Sequence, residues 1–374
     1  MTRPISVIAS FGHRHFSQAT PGSPPYRVLF FGTDNVSLAT LKMLYANCKH
    51  VIGSDGLIEH IEVVCPSNRP MNGSKKAEPV PVKKFAQRRC IKTFDTPSNL
   101  KSLKTWDFPV SEKFDVGVVV SFGYFLHPHM LKNLYHGAIN MHPSLLPKYR
   151  GPAPIHHALL NGDLITGVSI IEIVSEAFDA GRILLQKPYE IKPGIQYRDL
   201  ADELAAFGSE CVLKTLASLQ TMKEKAVVQD DARASKAPKL KFKDGLISFK
   251  ETARDIFHRW QALSNSVGVN VYFRGNVVKL VEIQLPMDQE LDFVKADEAR
   301  NGVAAIGTFF FEKNRQVIWL RCENFSWLKV LSLQQAGRKV GTALDFCNGI
   351  RLKNMQRELF EQVPMDRFEV VNHL

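Results

Sequence analysis

The fold is decided by the stretch Tyr26-Arg27-Val28-Leu29-Phe30-Phe31-Gly32-Thr33-Asp34-Asn35, near the beginning of the chain. Its apolar run predicts a short buried strand, and Gly32 predicts the tight turn that ends it. Asp34 or Asn35 can cap a following helix, whose apolar side chains share one face at Leu38, Leu41, Leu44 and Tyr45. A strand, a glycine turn and a helix in this order begin a doubly wound α/β sheet. One glycine does not make the G-x-G-x-x-G pattern, so the turn predicts no dinucleotide site.

Further apolar runs extend this sheet along the chain. Strands are predicted at residues 61–65, 114–120, 137–142, 167–174 and 183–191. Helices are predicted at residues 80–89, 128–135, 152–161 and 197–220, and the last has one apolar face that closes the domain. We therefore predict a doubly wound, mostly parallel α/β domain over residues 27–228.

A change of composition marks a second domain. Residues 229–243 are interpreted as a basic linker, because residues 232–243 hold five cations and no acid. Beyond the linker, a helix is predicted at residues 251–263, followed by short β-prone runs at residues 269–273, 277–283, 302–311, 316–322 and 328–333. Several short strands separated by glycines predict a small OB-like β-barrel over residues 244–374.

The composition is that of a globular protein with a basic surface. Its 374 residues suggest two or three domains, at about 100–200 residues each. The net charge of +11 favours a polyanionic partner, although a basic protein without a specific partner is the alternative. No run of about 18 apolar residues occurs, so no membrane partner is expected. The six cysteines form no C-x-x-C pair, which predicts a reduced compartment and no metal site.

The first 33 residues contain neither Asp nor Glu. They carry Arg3, Arg14 and Arg27 together with several serines, a composition typical of a mitochondrial transit peptide. We therefore expect a presequence over residues 1–26 and a location in the mitochondrial matrix. A disordered tail without a targeting role is the alternative.

Polar side chains and prolines follow the strand predicted at residues 137–142. They lie in Asn140-Met141-His142-Pro143-Ser144-Leu145-Leu146-Pro147. Asn140 and His142 share one face of the strand, at the carboxyl end where open α/β sheets bind ligands. An amide beside an imidazole suits acyl transfer, because both can stabilise an oxyanion and the imidazole can move a proton. The alternative is that the two side chains only satisfy backbone groups of the loop.

Asp179 is the carboxylate that could complete this site. It lies in Phe178-Asp179-Ala180-Gly181, after the strand predicted at residues 167–174. Neighbouring strands of such a sheet would place this loop beside the end of the strand that carries His142. There the carboxylate could hold the imidazole or relay protons from a nucleophile. Taken alone, Asp-x-Gly is an ordinary turn.

Together these motifs resemble the 10-formyltetrahydrofolate-dependent formyltransferases. The resemblance is carried by Asn140-x-His142-Pro-Ser-Leu-Leu-Pro-x-Tyr-Arg-Gly-x-Ala-Pro-Ile155, by Gly162-Asp163-x-x-Thr166-Gly167-Val168-Ser169-Ile170 and by Phe178-Asp179-Ala180-Gly181. It covers residues 27–285 well and fades beyond them. It implies a formyltransferase catalytic domain, the catalytic set Asn140, His142 and Asp179, and 10-formyltetrahydrofolate as the co-substrate.

The resemblance also implies a folate pocket between a strand end and the turn after His142. The residues implied are Phe122, Gly123, Ser144, Leu145, Leu146 and Pro147. One departure concerns the first turn, which reads Gly32-Thr33-Asp34-Asn35-Val36 where the family usually has Gly-Thr-Pro-Glu-Phe. We expect this departure to alter the packing near the folate.

Within the family, the chain is most similar to the members that act on initiator methionyl-tRNA. The narrower match rests on Phe31-Gly32-Thr33, on Asn68-Arg69-Pro70 with Lys75-Lys76, and on Ala234-Ser235-Lys236-Ala237-Pro238-Lys239. It implies tRNA binding through a set of cations: Arg69, Lys75, Lys76, Arg150, Arg233, Lys236, Lys239, Lys241 and Lys243. We expect a monomer. The alternatives are a solvated loop at residues 66–79 and a linker that is only a tether.

The implied activity is transfer of the formyl group to the α-amino group of methionyl-tRNA, for initiation of mitochondrial translation. A formyltetrahydrofolate hydrolase, or a formyltransferase for a sugar nucleotide or another small amine, would keep the same three polar residues. The basic C-terminal region argues against a small acceptor. A non-enzymatic RNA-binding protein on this fold would tolerate the loss of Asn140, His142 and Asp179, which are all present.

Overall fold

The computed structural model describes residues 22–70, 77–98, 100–174 and 177–361, with the side chains of Arg69 and Pro70 excepted. Most of the predicted presequence, the side chain of Arg69, both Lys75 and Lys76, and the tail at residues 362–374 lie outside these ranges. What the sequence predicts for them stays a prediction.

The first domain alternates strands with helices. Its strands are β1 (Tyr26–Gly32), β2 (Ile58–Pro66), β3 (Arg69–Pro70), β4 (Ala77–Glu78), β5 (Thr93–Thr96), β6 (Val116–Val120), β7 (Ala138–His142), β8 (Ile165–Glu172) and β9 (Ile183–Glu190). Its helices are α1 (Asn35–Ala46), α2 (Pro81–Arg88), α3 (Pro128–Leu131), α4 (Pro154–Leu160), α5 (Tyr197–Ala217) and α6 (Leu219–Glu224). The short strand β5 was not predicted, and the helix expected at residues 197–220 ends at Ala217.

Seven strands form the central sheet in the order β5-β2-β1-β6-β7-β8-β9. The pairs among β5, β2, β1, β6 and β7 are parallel, which confirms a doubly wound, mostly parallel sheet. At the start of α1, Ser37 donates its backbone N–H to the Asp34 carboxylate at 3.1 Å, so Asp34 is the cap. Strand β1 ends at Gly32, so this turn lies at the carboxyl edge of the sheet.

Strand β8 runs against this direction, and β9, which is antiparallel to β8, resumes it. β8 pairs antiparallel with β7, with Ile139 opposite Glu172 and His142 opposite Ser169. The carboxyl end of β8 therefore lies beside the beginning of β7, and not beside His142. The expected route to Asp179, through neighbouring strand ends, is wrong. The chain after β8 returns along the sheet before Asp179 reaches the site.

The second domain is an antiparallel sheet preceded by a helix. Its elements are α7 (Ala253–Leu263), β10 (Val269–Phe273), β11 (Asn276–Gln284), α8 (Asp288–Asn301), β12 (Thr308–Glu312), β13 (Val317–Arg321), β14 (Trp327–Gln335), β15 (Gly341–Thr342), α9 (Ala343–Gly349) and β16 (Arg357–Leu359). The sheet order is β10-β11-β14-β13-β12-β16. The edges meet where the N–H of Glu361 donates to the Tyr272 carbonyl at 2.8 Å. The sheet thus curls into the predicted barrel-like domain.

Helix α8 was not predicted, and the strand predicted after it begins later than expected. The β-prone run at residues 302–311 begins as a strand only at Thr308, and residues 288–301 are helical. Only Val294 and Asp297 of α8 are buried, so the helix lacks the apolar stripe that reveals an amphipathic helix in a sequence. Helix α9 was also not predicted.

The linker is bound along the first domain. Arg150 donates its backbone N–H to the Ser235 carbonyl at 2.8 Å and accepts from the Ala237 N–H at 2.7 Å. Ala153 adds a bond to the Ala237 carbonyl at 3.1 Å. A Cβ on Gly151 would lie 2.7 Å from that carbonyl oxygen, so the close approach requires glycine. The linker is therefore a fixed part of the first domain and not a free tether.

Candidate active site

A cavity of about 460 Å³ opens at the carboxyl edge of β6 and β7. Its lining is largely apolar, and its size is within the usual range of small-molecule sites. The polar side chains that line it are Asp34, Ser121, Tyr124, Asn140, His142, His156, Glu172, Asp179 and Tyr197. Three of them form the predicted catalytic set.

Asn140 and His142 both lie within contact distance of Asp179. Asn140 donates from Nδ2 to Asp179 Oδ1 at 3.2 Å, and His142 Nδ1 lies 3.6 Å from the same oxygen. Asp179 Oδ2 accepts from the backbone N–H of Gly151 at 2.9 Å. The bond to Asp179 uses one of the two amide hydrogens of Asn140, and the other is left for a ligand.

The protonation of His142 is set by its second partner. Nε2 lies 2.9 Å from the Tyr149 carbonyl oxygen, which can only accept a hydrogen bond, so Nε2 carries a proton. Nδ1 is then the nitrogen free to accept or release a proton, and it faces Asn140 and Asp179. His142 is 4% exposed, so this geometry is held inside the protein.

Asp179 reaches the site from a strained turn. Its φ angle of 54° lies in the left-handed region, which non-glycine residues adopt at a cost. Two residues later the chain passes so close to β8 that a Cβ on Gly181 would overlap the Glu172 carbonyl oxygen. The turn and the close approach together bring Asp179 next to Asn140.

The structure divides the predicted folate residues into two groups. Phe122 and Gly123 line the cavity, together with the aromatic pair Phe125 and Phe178, whose ring centroids are 5.0 Å apart. The turn formed by Ser144, Leu145, Leu146 and Pro147 does not line it. Ser144 Oγ donates to the Lys148 carbonyl at 2.6 Å, and Leu146 donates its N–H to Ser169 Oγ at 3.1 Å. This turn supports the loop from behind, and its predicted contact with the folate stays a prediction.

The opposite wall holds three ionisable groups that the sequence did not indicate. The His156 ring stacks on Tyr197 with a centroid distance of 3.8 Å. Burial, with a smaller contribution from His157, lowers the pKa of His156 to about 4. Burial raises the pKa of Asp34 against the opposing hydrogen bonds from Ser37. Burial and the Asp34 charge raise the pKa of Tyr197. This wall is therefore uncharged at His156 and Tyr197 near neutral pH.

The guanidinium of Arg150 bonds to side chains of the protein itself. Its Nε and Nη2 donate to Gln229 Oε1 at 2.9 and 2.8 Å, and Nη2 also donates to Asp231 at 2.8 Å. Its side chain is 19% exposed. These contacts are all internal to the protein, and the expected role of Arg150 in tRNA binding stays a prediction.

The other predicted tRNA contacts on the linker are exposed. They are Arg233, Lys236, Lys239, Lys241 and Lys243, which share the outer side of the linker with the acids Asp230 and Asp231. Arg233 lies 3.4 Å from Asp230, an exposed pair of the kind that contributes little to stability. Among the described residues, no cluster of three His, Cys, Asp or Glu side chains could hold a metal ion, and no helix is long and apolar enough to cross a bilayer.

Two family models match the chain. The model described as "Formyl transferase" matches residues 26–216, and the model described as "Formyl transferase, C-terminal domain" matches residues 239–351. The two matches correspond to the two domains of the structure and leave residues 217–238 between them.

Relatives align over most of the chain. The mitochondrial methionyl-tRNA formyltransferase of Homo sapiens is 31% identical over 351 residues, which covers 93% of this chain and 84% of the relative. The methionyl-tRNA formyltransferase of the bacterium Dictyoglomus thermophilum is 32% identical, covering 88% of this chain and 99% of the relative.

Solved structures share the fold. A sugar 3N-formyl transferase, WlaRD, crystallised in the presence of dTDP and 5-N-formyl-THF, superposes with a TM-score of 0.53 at 18% identity. The superposition covers 84% of this chain and 98% of that one. An N-formyltransferase from Helicobacter canadensis gives the same TM-score at 16% identity, covering 81% of this chain and 98% of that one. At these identities the comparison concerns the fold alone.

Proposed function

Because this chain belongs to the formyl transferase family, we propose that it transfers a formyl group from 10-formyltetrahydrofolate to the α-amino group of methionyl-tRNA. The observation that carries the proposal is the contact of Asn140, His142 and Asp179 at the wall of one cavity. The relatives that align with almost the whole chain are named for this reaction.

The cavity suits a flat aromatic co-substrate. Phe122, Phe125 and Phe178 give it an apolar aromatic wall, and Asn140, His142 and Asp179 supply polar groups along one side. A folate combines planar rings with a reactive formyl nitrogen, so it needs both kinds of surface. We propose that Phe122 and Gly123 contact the folate directly and that the turn at residues 144–147 supports the loop.

The residues divide the chemistry among them. The neutral α-amine attacks the formyl carbon, and free α-amines titrate at about 7.7–8.0, so little base strength is required. The free N–H of Asn140 donates to the oxyanion that forms, and His142 stabilises the same charge once its Nδ1 has taken up the amine proton. The bond from the formyl carbon to N10 then breaks. Asp179 holds the His142 ring and helps to move the proton from the amine to N10.

We propose that the linker cations bind the tRNA phosphates. Arg233, Lys236, Lys239, Lys241 and Lys243 are exposed along one segment, which a small acceptor would not require. Each lost phosphate contact reduces the slope of log affinity against log salt by about 0.7–0.9. We expect Lys236→Ala and Lys239→Ala to lower this slope, and Lys239→Arg to keep it. A slope that stays unchanged in both alanine variants would remove the linker from the tRNA site.

The direct test of the reaction is a mass measurement. The purified chain is incubated with 10-formyltetrahydrofolate and methionyl-tRNA, and the amino acid released by mild base is weighed. We expect the mass gain of one formyl group. Parallel incubations with water alone and with an amino-sugar nucleotide test the hydrolase and sugar alternatives. No gain on methionine, or a faster reaction with either alternative acceptor, would rule out the proposal.

We propose that the protein acts as a monomer in the mitochondrial matrix during initiation of translation. The support is the acid-free, arginine-bearing segment at residues 1–26 and the mitochondrial relatives, although bacterial relatives are equally similar. A fluorescent fusion of the full chain should co-localise with a matrix marker, and removal of residues 1–21 should leave the fusion in the cytosol. Sedimentation of the purified protein at a dimer mass would contradict the monomer.

A further inference from the structure

The side chain of Gln229 lies behind the catalytic set and has its hydrogen-bonding capacity filled. It is 7% exposed. Its Nε2 donates to the carbonyl oxygens of Asp179 and Gly181, both at 2.8 Å. Its Oε1 accepts from Nε and Nη2 of Arg150 at 2.9 and 2.8 Å. A primary amide offers two donors and two acceptor sites, so each one has a partner here.

One end of this amide holds the turn that carries the catalytic carboxylate. Asp179 has a φ angle of 54°, a left-handed conformation that persists only where surrounding contacts impose it. Gln229 binds the backbone carbonyl of Asp179 itself and the carbonyl of Gly181 two residues on. These contacts fix the backbone on both sides of Ala180. They thereby fix the direction in which the Asp179 side chain projects toward Asn140.

The other end holds the segment that orients the same groups. Arg150 lies between Tyr149, whose carbonyl accepts from His142 Nε2, and Gly151, whose N–H donates to Asp179 Oδ2. Gln229 therefore joins the segment at residues 149–151 to the turn at residues 179–181. Both segments contact the catalytic side chains.

We propose that Gln229, held by Arg150, is a positioning residue that keeps the Asp179 carboxylate in place for formyl transfer. The inference rests on the proposed function, because Asp179 matters only if this site performs the reaction. Gln229 does not reach the cavity, so it acts through Asp179 and not on the substrates. Its place at the start of the linker makes the linker a structural part of the active site.

The test compares Gln229→Ala and Gln229→Glu with the unaltered full-length chain. Gln229→Glu keeps the size and the Arg150 contact but removes the donor to Asp179 and Gly181. We expect kcat to fall by on the order of 10-fold to 100-fold in both variants, because a displacement of about 1 Å can cost about that much. KM for both substrates should stay near its original value, since no binding contact is removed.

A second readout needs no substrate. The Gly151 amide hydrogen bonds to Asp179 Oδ2, so its exchange with deuterium reports whether the carboxylate is in place. Exchange at Gly151 should become faster in both variants. If the unaltered chain does not formylate methionyl-tRNA, the proposed function fails, and the exchange measurement still decides whether Gln229 positions Asp179.

Gln261→Ala is the matched control. Gln261 is 6% exposed and its Nε2 donates to the Ile195 carbonyl at 2.8 Å, away from the catalytic set. We expect this variant to lose a comparable amount of thermal stability, with kcat and Gly151 exchange close to those of the unaltered chain. Unchanged Gly151 exchange in the Gln229 variants, or an unchanged kcat in an active enzyme, overturns the proposal. An equal fall of kcat in Gln261→Ala overturns it as well.

Discussion

At the scale of single residues, the site depends on side chains that already lie in contact before any substrate binds. Asn140 is held by Asp179, and His142 is held by the Tyr149 carbonyl, so neither needs to be ordered during the reaction. Such preorganised donors are a large source of rate enhancement in acyl transfer. The catalytic role of each side chain can therefore be tested without disturbing the fold.

Replacement of Asn140 by Ala should reduce kcat by about 10²–10³-fold, because it removes an oxyanion donor. The melting temperature should change little, since Asn140 lines an open cavity. Asn133→Ala is the comparison: its Nδ2 donates to the Val110 carbonyl at 2.8 Å, remote from the cavity. Steady-state kinetics and thermal melts of both variants check the prediction. Turnover of Asn140→Ala equal to that of Asn133→Ala would contradict the oxyanion role.

His156 should make the folded state sensitive to acid. Its pKa is lowered to about 4, from about 6.5 in an unfolded chain, so the unfolded state binds the proton first. This group contributes stability that is fully present above pH 6.5 and is lost as the pH falls toward 4, by up to about 1.4 kcal/mol per pH unit. In His156→Gln the melting temperature should fall less steeply over this range. If the melting temperatures of both proteins fall equally with pH, the pKa of His156 is the same in the folded and unfolded states, which would contradict the prediction.

The central residues of the site could be predicted from the sequence, and their supports could not. The spacing Asn140-x-His142 on a strand places both side chains on one face by the alternation of the strand itself. Gln229 is separated from Asp179 by fifty positions, and its role depends on where the linker docks. His156 follows a helix-initiating proline, and nothing in its local pattern reveals that it stacks on Tyr197.

At the scale of elements, strand identity was easier to predict than strand direction. The apolar runs of β6, β7 and β8 are all buried on both faces, which a parallel or an antiparallel neighbour can provide. The loop between β7 and β8 contains α4, as a parallel crossover also would. Direction is decided by how the Ser144–Pro147 turn packs against Ser169 on β8, which is a tertiary contact.

The docking of the linker should be sensitive to one glycine. Gly151→Ala places a Cβ 2.7 Å from the Ala237 carbonyl oxygen at a φ angle of 124°, so it combines backbone strain with a clash. Gly53→Ala is matched for positive φ, at 81°, but meets no atom within 4 Å. We expect Gly53→Ala to cost about 1 kcal/mol and Gly151→Ala to cost more and to lower kcat. Denaturant unfolding and turnover measure both. Equal losses of stability with normal turnover would indicate that the linker does not press on Gly151.

At the scale of the whole molecule, the two domains share one apolar core. A single cluster of buried residues includes Leu200 and Leu204 of α5 together with Ile256, Trp260 and Leu263 of α7. Gln261 on α7 adds a buried hydrogen bond to Ile195 in the first domain. The interface is thus apolar and buried, unlike the more polar contacts that usually join independent domains.

This shared core predicts one unfolding transition. Because neither domain can expose its side of the cluster without the other losing burial, scanning calorimetry should show a single peak. Its calorimetric enthalpy should equal the van't Hoff enthalpy. Two separated peaks would show that the domains unfold independently.

The general division into domains was predictable, whereas the details of the second domain were not. Alternating strands and glycines indicated a barrel, and β10 was predicted at its observed bounds. Helix α8 has a charged, weakly amphipathic sequence that gives no periodic signal, and it is stabilised by tertiary contacts such as the pair between Glu290 and Lys329 at 2.7 Å. Local sequence patterns do not report such contacts.

The bound linker also limits how this enzyme can be recombined with its relatives. The two family matches leave residues 217–238 between them, and this interval carries Gln229, Ser235 and Ala237. A chimera that joins this chain to the C-terminal part of a relative at residue 216 would place the relative's linker along Arg150 and behind Asp179. A junction placed after Ala237 would take the whole active site, with its supporting linker, from one parent. Modular exchange in this architecture should therefore favour breakpoints on the C-terminal side of the linker.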